Sequence, residues 1–159
     1  MRPLLLLDVD GVLNPFPECP TGFEEHDFFP EDDEPVRLAR VHAEWLRELA
    51  ATFDVAWATG WGDDANRLLG PFFGLPDCAV APMPPIPFGP AEKVPAVAAF
   101  AGERPAAWVD DSIGPEAHEW ASSRGSPTLL VPVDPAGGLL RRHVDELLAW
   151  AGEVGGGRR

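Results

Sequence analysis

Four consecutive leucines, Leu4-Leu5-Leu6-Leu7, run straight into Asp8-Val9-Asp10-Gly11. This junction constrains the fold more than any other stretch. An apolar run with no polar alternation reads as a strand buried on both faces, the situation of a parallel sheet covered by helices on each side. Two carboxylates at the tip of such a strand are costly unless something compensates them. A divalent cation is the usual remedy, and hard oxygen ligands suit Mg²⁺, which keeps several waters and tolerates a substrate phosphate. Gly11 lets the chain turn sharply there and approach a ligand closely.

The rest of the chain alternates in the same sense. Residues 14–35 are rich in Pro, Phe and acid without a regular period and read as a long flap-like loop. From Val36 to Phe53 the apolar residues Leu38, Val41, Trp45, Leu46 and Leu49 recur at helical spacing, with Asp33 and Pro35 as start signals. A buried strand is expected over Asp54–Thr59, a helix from about Asp63 to Leu69, and a short strand at Cys78–Ala81 within the Pro-dense segment 74–90. Then come a helix over Ala91–Phe100, a strand over Ala106–Val109, a helix over Pro115–Ser123, a strand over Thr128–Val133 and an amphipathic helix over Leu139–Trp150. Strands separated by helices predict an α/β fold: a Rossmann-like three-layer sandwich with a mainly parallel sheet of about five strands. The spacing leaves no room for a large inserted domain. Residues 1–151 read as one domain and 152–159 as a flexible tail.

Composition narrows the partners. The formal net charge of −14 repels polyanions and anionic membranes, so nucleic-acid binding through a basic face is disfavoured. The leucine run is cut by Asp8 well short of the roughly 7–15 residues of a signal-peptide core, and no segment approaches the ~20 apolar residues of a membrane span. The expected location is cytoplasmic. Cys19 and Cys78 lack metal-like spacing, and no metal spacing links His26, His42, His118 and His143.

Ligands of parallel sheets collect at the carboxyl ends of the strands, and the unusual residues fall there. Trp57-Ala58-Thr59-Gly60 ends one strand in a hydroxyl, and Trp108-Val109-Asp110-Asp111-Ser112 ends another in paired acids. Lys93, the one lysine in a chain that otherwise uses arginine, lies near the start of an expected helix. A positive side chain gains nothing from the macrodipole there, and a bound anion explains it better.

The order Asp-x-Asp, Thr, Lys, Asp-Asp resembles the signature of the haloacid-dehalogenase superfamily at all four of its motifs, over about residues 4–112. The likeness is to a small, capless or minimally capped bacterial member. It implies a phosphoric monoester hydrolase in which Asp8 is the nucleophile that becomes an aspartyl phosphate and Asp10 the general acid and base. It further implies that Thr59 and Lys93 hold the transferred phosphoryl. Asp110 and Asp111 would bind Mg²⁺ with Asp8 and the backbone carbonyl of Asp10, Asp111 directly and Asp110 in support, or the reverse.

The same likeness leaves the substrate open. Residues 14–35 carry eight acids and no Lys or Arg, together with Phe16, Phe23, Phe28 and Phe29. This flap reads either as a solvated loop whose rings pack inward or as a lid for a basic partner. Trp61 reads as a packing residue that could also stack on a substrate. Some capless relatives with paired acids are polynucleotide 3′-phosphatases, which keeps nucleic-acid ends as an alternative substrate. A catalytically silent acidic interaction module is the alternative of another class. A receiver-type signalling domain is disfavoured because its paired acids precede its phosphorylated aspartate.

Overall fold

The computed structural model describes residues 2–156. Strands β1 (Leu4–Leu7), β4 (Asp54–Trp57), β5 (Ala79–Val80), β6 (Ala106–Asp110) and β7 (Thr128–Pro132) form one five-stranded sheet in the order β5-β4-β1-β6-β7. Every pairing in it is parallel. Helices α1 (Val41–Thr52), α2 (Gly70–Phe73), α3 (Pro90–Ala101), α4 (Pro115–Ser123) and α5 (Arg141–Gly156) connect or flank these strands.

The leucine run explains the layering. Leu5 and Leu7 point into one core with Leu46 and Leu49 of α1 and Val144 and Leu147 of α5. Leu4 and Leu6 point into a second core with Val97 of α3 and Ala117 of α4. Alternate residues of one strand thus feed opposite faces, and all four leucines are buried. The expected three-layer α/β architecture, without a large cap domain, is what the chain adopts.

The central position of β1 fixes where a site can form. Leu7 is in register with Trp57 on one side and Val109 on the other. Asp8, Ala58 and Asp110 therefore leave the sheet at one level. The connection from β1 leads to β4 on one flank, and the chain later returns to β6 on the other. Strand order reverses at β1, and the crevice at such a reversal is where open α/β sheets bind ligands.

Four local expectations are corrected. Residues 14–35 are not all loop: Phe23–His26 forms strand β2, which pairs antiparallel with β3 (Val36–Ala39). The helix expected from Val36 consequently begins only at Val41. All of Val36–Ala39 is buried in the hairpin, and that pairing overrides the helical spacing that Leu38 suggested. Arg37 and Arg40 reach back to flap acids, Arg37 to Glu34 at 3.2 Å and Arg40 to Glu24 at 3.0 Å. At the other end α5 runs through Gly156 instead of giving way to a tail at 152. Val154 continues the face of buried Val144, Leu147 and Ala151, and Trp150 stacks on Phe53 with ring centroids 6.2 Å apart. The remainder of the expected tail, 157–159, lies outside the described residues.

The helix expected over Asp63–Leu69 is a wider π-helical turn, Ala65–Leu69, running into α2. Asn66 on this turn accepts from the Trp57 indole at 2.8 Å and from the Cys78 amide at 2.9 Å. Its own amide donates to the Cys78 carbonyl, so one side chain ties β4 to the start of β5. Among the described residues no helix is long and apolar enough to cross a membrane.

Candidate functional site

The turn after β1 is built tightly. The amides of Val12, Leu13 and Asn14 all donate to the Val9 carbonyl, and the Gly11 amide donates to the Asn14 carbonyl at 2.8 Å. Gly11 has φ +82°, and a Cβ placed on it would overlap the Asp111 carboxylate. Only glycine meets both demands. Gly11→Ala is expected to cost on the order of 1–3 kcal/mol through backbone strain alone and to displace Asp111 besides. A thermal melt checks the first effect; an unchanged melting temperature would contradict it.

The structure gathers the residues singled out in the sequence around one pocket. Asp8, Asp10, Thr59, Lys93, Asp110 and Asp111 all line an open cavity of about 330 Å³. One carboxylate oxygen each from Asp8, Asp110 and Asp111 lies within 4.8 Å of the others. Lys93 projects from the first turn of α3, whose start is held by the Gly89 amide donating to Glu92 Oε1 at 3.1 Å. Its ammonium reaches Asp110 Oδ2 at 2.6 Å and Asp8 Oδ1 at 3.3 Å. The side chains of Asp8, Lys93 and Asp110 are 10%, 7% and 2% exposed. This is a buried ion cluster and not a solvated face.

Asp110 and Asp111 differ sharply in environment. Asp110 Oδ2 accepts from Lys93 and, at 3.1 Å, from the Trp108 indole, while its Oδ1 accepts the Ser112 amide at 2.9 Å. Its acceptor sites are largely committed within the protein. Asp111 receives one long hydrogen bond, 3.4 Å from Ser112 Oγ, and sits half-buried at the cavity wall. Of the two, Asp111 has the lone pairs free to coordinate an ion.

The electrostatics follow from burial. Desolvation pushes the Asp8 carboxyl well above the usual carboxylate range; Lys93 opposes the rise, and Asp110 and Asp111 add to it. Burial likewise raises Asp111, helped by Asp110. For Lys93 burial acts downward, but the two carboxylates outweigh it and the ammonium titrates above the ordinary lysine range. The three clustered carboxylates of Asp8, Asp110 and Asp111 are thus matched by one ammonium, an imbalance that a divalent cation corrects. Two oxygens on a Mg²⁺ ion lie at most about 4.2 Å apart, twice its ~2.1 Å contact distance. The trio is all hard oxygen and close to that spacing, so small side-chain rotations fit it to such an ion.

Thr59 is buried, and its Oγ1 accepts the Trp61 amide at 3.2 Å. Its hydroxyl proton is left for a ligand in the cavity it lines. Asp10 is exposed, and its Oδ1 accepts from Asn14 Nδ2 at 2.9 Å and from Trp61 Nε1 at 3.2 Å. Neither donor stood out as such in the sequence.

The flap's rings divide. Phe23 packs edge-on against His42, Phe28 stacks on His26 and Phe29 packs edge-on against Trp61. Phe16, 41% exposed, instead faces the cavity, whose other rim carries Ile86 at 71% exposed. The inward-packing reading of the aromatics therefore holds for three of the four. Beside Asp10 a second recess of about 420 Å³ is lined by Phe29, Trp61, Asp32, Asp33 and Glu34. Among the described residues no histidine joins the acidic cluster. His42 Nε2 and the Leu139 carbonyl hydrogen-bond at 2.9 Å, and His143 Nδ1 accepts the Leu140 amide.

No family model matches the chain, and no curated protein matches it. Among solved structures, the crystal structure of a hypothetical protein from Xanthomonas campestris is similar over 98% of this chain and 86% of that one, with 17% identity and a TM-score of 0.51. At that identity the likeness speaks for the fold alone.

Proposed function

We propose that this protein is a Mg²⁺-dependent phosphatase of the haloacid-dehalogenase type, hydrolysing a phosphate monoester through an aspartyl phosphate on Asp8. One observation carries the reading: carboxylates from the tips of β1 and β6 meet within 4.8 Å, with Lys93 bridging Asp8 and Asp110. Residues distant in sequence converge on a motif order that resembles that superfamily.

The roles follow from the environments. Asp8, at the cavity floor, is the nucleophile. Lys93 and Thr59 bind the phosphoryl oxygens and offset their charge, since positioning and charge stabilisation are most of what phosphoryl transfer asks of a protein. Asp10, exposed and without a cationic partner among the described residues, exchanges protons with the leaving oxygen and then with water. Asp8, Asp111 and the Asp10 carbonyl would hold the metal, with Asp110 in support. Bound there, Mg²⁺ would lower the repulsion between carboxylate and phosphate and orient the two. The two free thiols, Cys19 and Cys78, agree with a cytoplasmic setting.

The direct test is a phosphate-release screen with Mg²⁺ across sugar phosphates, nucleotides, phosphopeptides and 3′-phosphorylated oligonucleotides, with Asp8→Asn as the blank. Repeated turnover supports the reading; no release on any substrate leaves the silent acidic module in its place. Metal binding has its own readout. At one hundred times its dissociation constant a ligand of the native state adds about 2.7 kcal/mol, or roughly 5–10 °C in melting temperature for a chain of this size. That shift is expected for the wild type and is expected to shrink severalfold in Asp111→Asn. An equal shift in both would remove Asp111 from the ligand set.

A further inference from the structure

The two donors on Asp10 come from different parts of the fold, and each is anchored elsewhere. Asn14 closes the turn after β1, and its Oδ1 accepts the Arg37 amide of β3 at 2.7 Å. Its side-chain amide is thereby oriented so that Nδ2 meets Asp10 Oδ1. Trp61 follows the tip of β4. Its backbone amide is fixed on Thr59 Oγ1 at 3.2 Å, and its ring packs edge-on against Phe29, with centroids 5.1 Å apart. Its indole N–H reaches the same oxygen, Asp10 Oδ1, at 3.2 Å. Among the described residues Asp10 Oδ2 receives no donor from the protein.

A carboxyl that acts as a general acid must carry its proton on the oxygen that faces the leaving group. Two N–H groups on Oδ1 make that oxygen an obligate acceptor, because a proton there would face two donors. The proton is confined to Oδ2, and the hydrogen bonds also hold the carboxyl plane of an otherwise exposed side chain. We infer that Asn14 and Trp61 are positioning residues that lock Asp10 in its acid-competent orientation, and that the β2–β3 flap holds them there through Arg37 and Phe29. This rests on the phosphatase reading above.

The chemistry balances as follows. A carboxylate oxygen of Asp8 bonds to phosphorus as the phosphorus–ester oxygen bond breaks; the electron pair leaves with the ester oxygen, which takes the proton from Asp10 Oδ2. In the second step water attacks the phosphorus, its proton passes to Oδ2, and the pair of the breaking bond returns to Asp8. Protonation of the leaving oxygen matters most where that oxygen is a poor leaving group. Loss of the lock should therefore depend on the ester.

Trp61→Phe keeps a ring against Phe29 and removes the donor. Asn14→Asp keeps an acceptor for the Arg37 amide and replaces the donor by an anionic oxygen. For each variant kcat and KM are measured on an unactivated alkyl phosphate and on an activated aryl phosphate, whose leaving group needs no proton. General acid catalysis contributes on the order of 10²–10⁴-fold, and a partial loss is expected. kcat/KM, which reports transfer to Asp8 and not the later hydrolysis common to both esters, should fall at least about tenfold more on the alkyl than on the aryl phosphate. A uniform loss of kcat/KM on both esters, or none, overturns the positioning role while the phosphatase reading stands. Absence of wild-type turnover over the Asp8→Asn blank sinks both.

Discussion

Asp8→Asn is expected to lower Mg²⁺-dependent phosphate release by on the order of 10⁴-fold or more, the scale seen when a nucleophile is removed, and yet to melt higher than the wild type in chelator. The two effects share a cause. Burial holds the Asp8 carboxyl well above its ordinary range, with Asp110 and Asp111 adding to the rise. The charged form is therefore what folding disfavours. A carboxyl with a raised folded pKa retains its proton longer in the native state, so wild-type stability declines as pH climbs from about 3.9, the unfolded value, toward the folded one. Asparagine has no proton to lose and escapes that decline. Lys93 keeps Asp110 at 2.6 Å in the variant, so its ammonium is not orphaned. Melts in chelator from pH 4 to 8 should show the variant's advantage growing with pH. A variant that melts lower at every pH would make Asp8 a structural residue, and one that still turns over would remove it as nucleophile.

That pairing of lost activity with gained stability sets a site apart from a core, and parts of this site are legible in the amino-acid sequence alone. The leucine run can be read as a two-sided strand because nothing polar interrupts it, and the two cores divide its alternate residues as that reading requires. Asp8 and Asp110 can be placed together because each follows an apolar run, and parallel strands in register bring such tips to one level. Lys93 stands out by composition, as the one ammonium in an arginine chain.

The hairpin is not legible in the same way, for a physical reason. Phe23-Glu24-Glu25-His26 has neither an alternating apolar face nor a turn signature, and it is a strand because β3 pairs with it and Arg40 reaches Glu24. Those partners are set by tertiary structure, which periodicity does not carry. The same holds for the Trp61–Asp10 contact, 51 positions apart in the chain. Asn14 lies four residues from Asp10, near enough to suspect. An asparagine in a turn, however, has many local uses, and only its bond to the Arg37 amide shows which one this chain employs.

Lys93→Met carries the largest expected effect on stability. The ammonium is nearly buried and lies between two buried carboxylates, 2.6 Å from Asp110 and 3.3 Å from Asp8. Removing one member of such a cluster leaves uncompensated charge and typically costs about 3–5 kcal/mol, which for a chain of this length is roughly 10 °C or more in melting temperature. The pH dependence identifies the cause. In the wild type the raised Lys93 pKa means that its contribution is complete at neutral pH and is lost only as pH rises above the ordinary lysine value of about 10.4 and through the raised one. In the variant Asp8 loses the cation that opposes the rise, and its folded pKa moves further up. Variant stability should then fall from about pH 4 upward more steeply than that of the wild type. Melts in chelator should show a smaller gap between the two proteins at pH 4, where Asp8 holds its proton, than at pH 8. A gap that stays constant across that range would assign the loss to packing of the lysine stem and not to its charge.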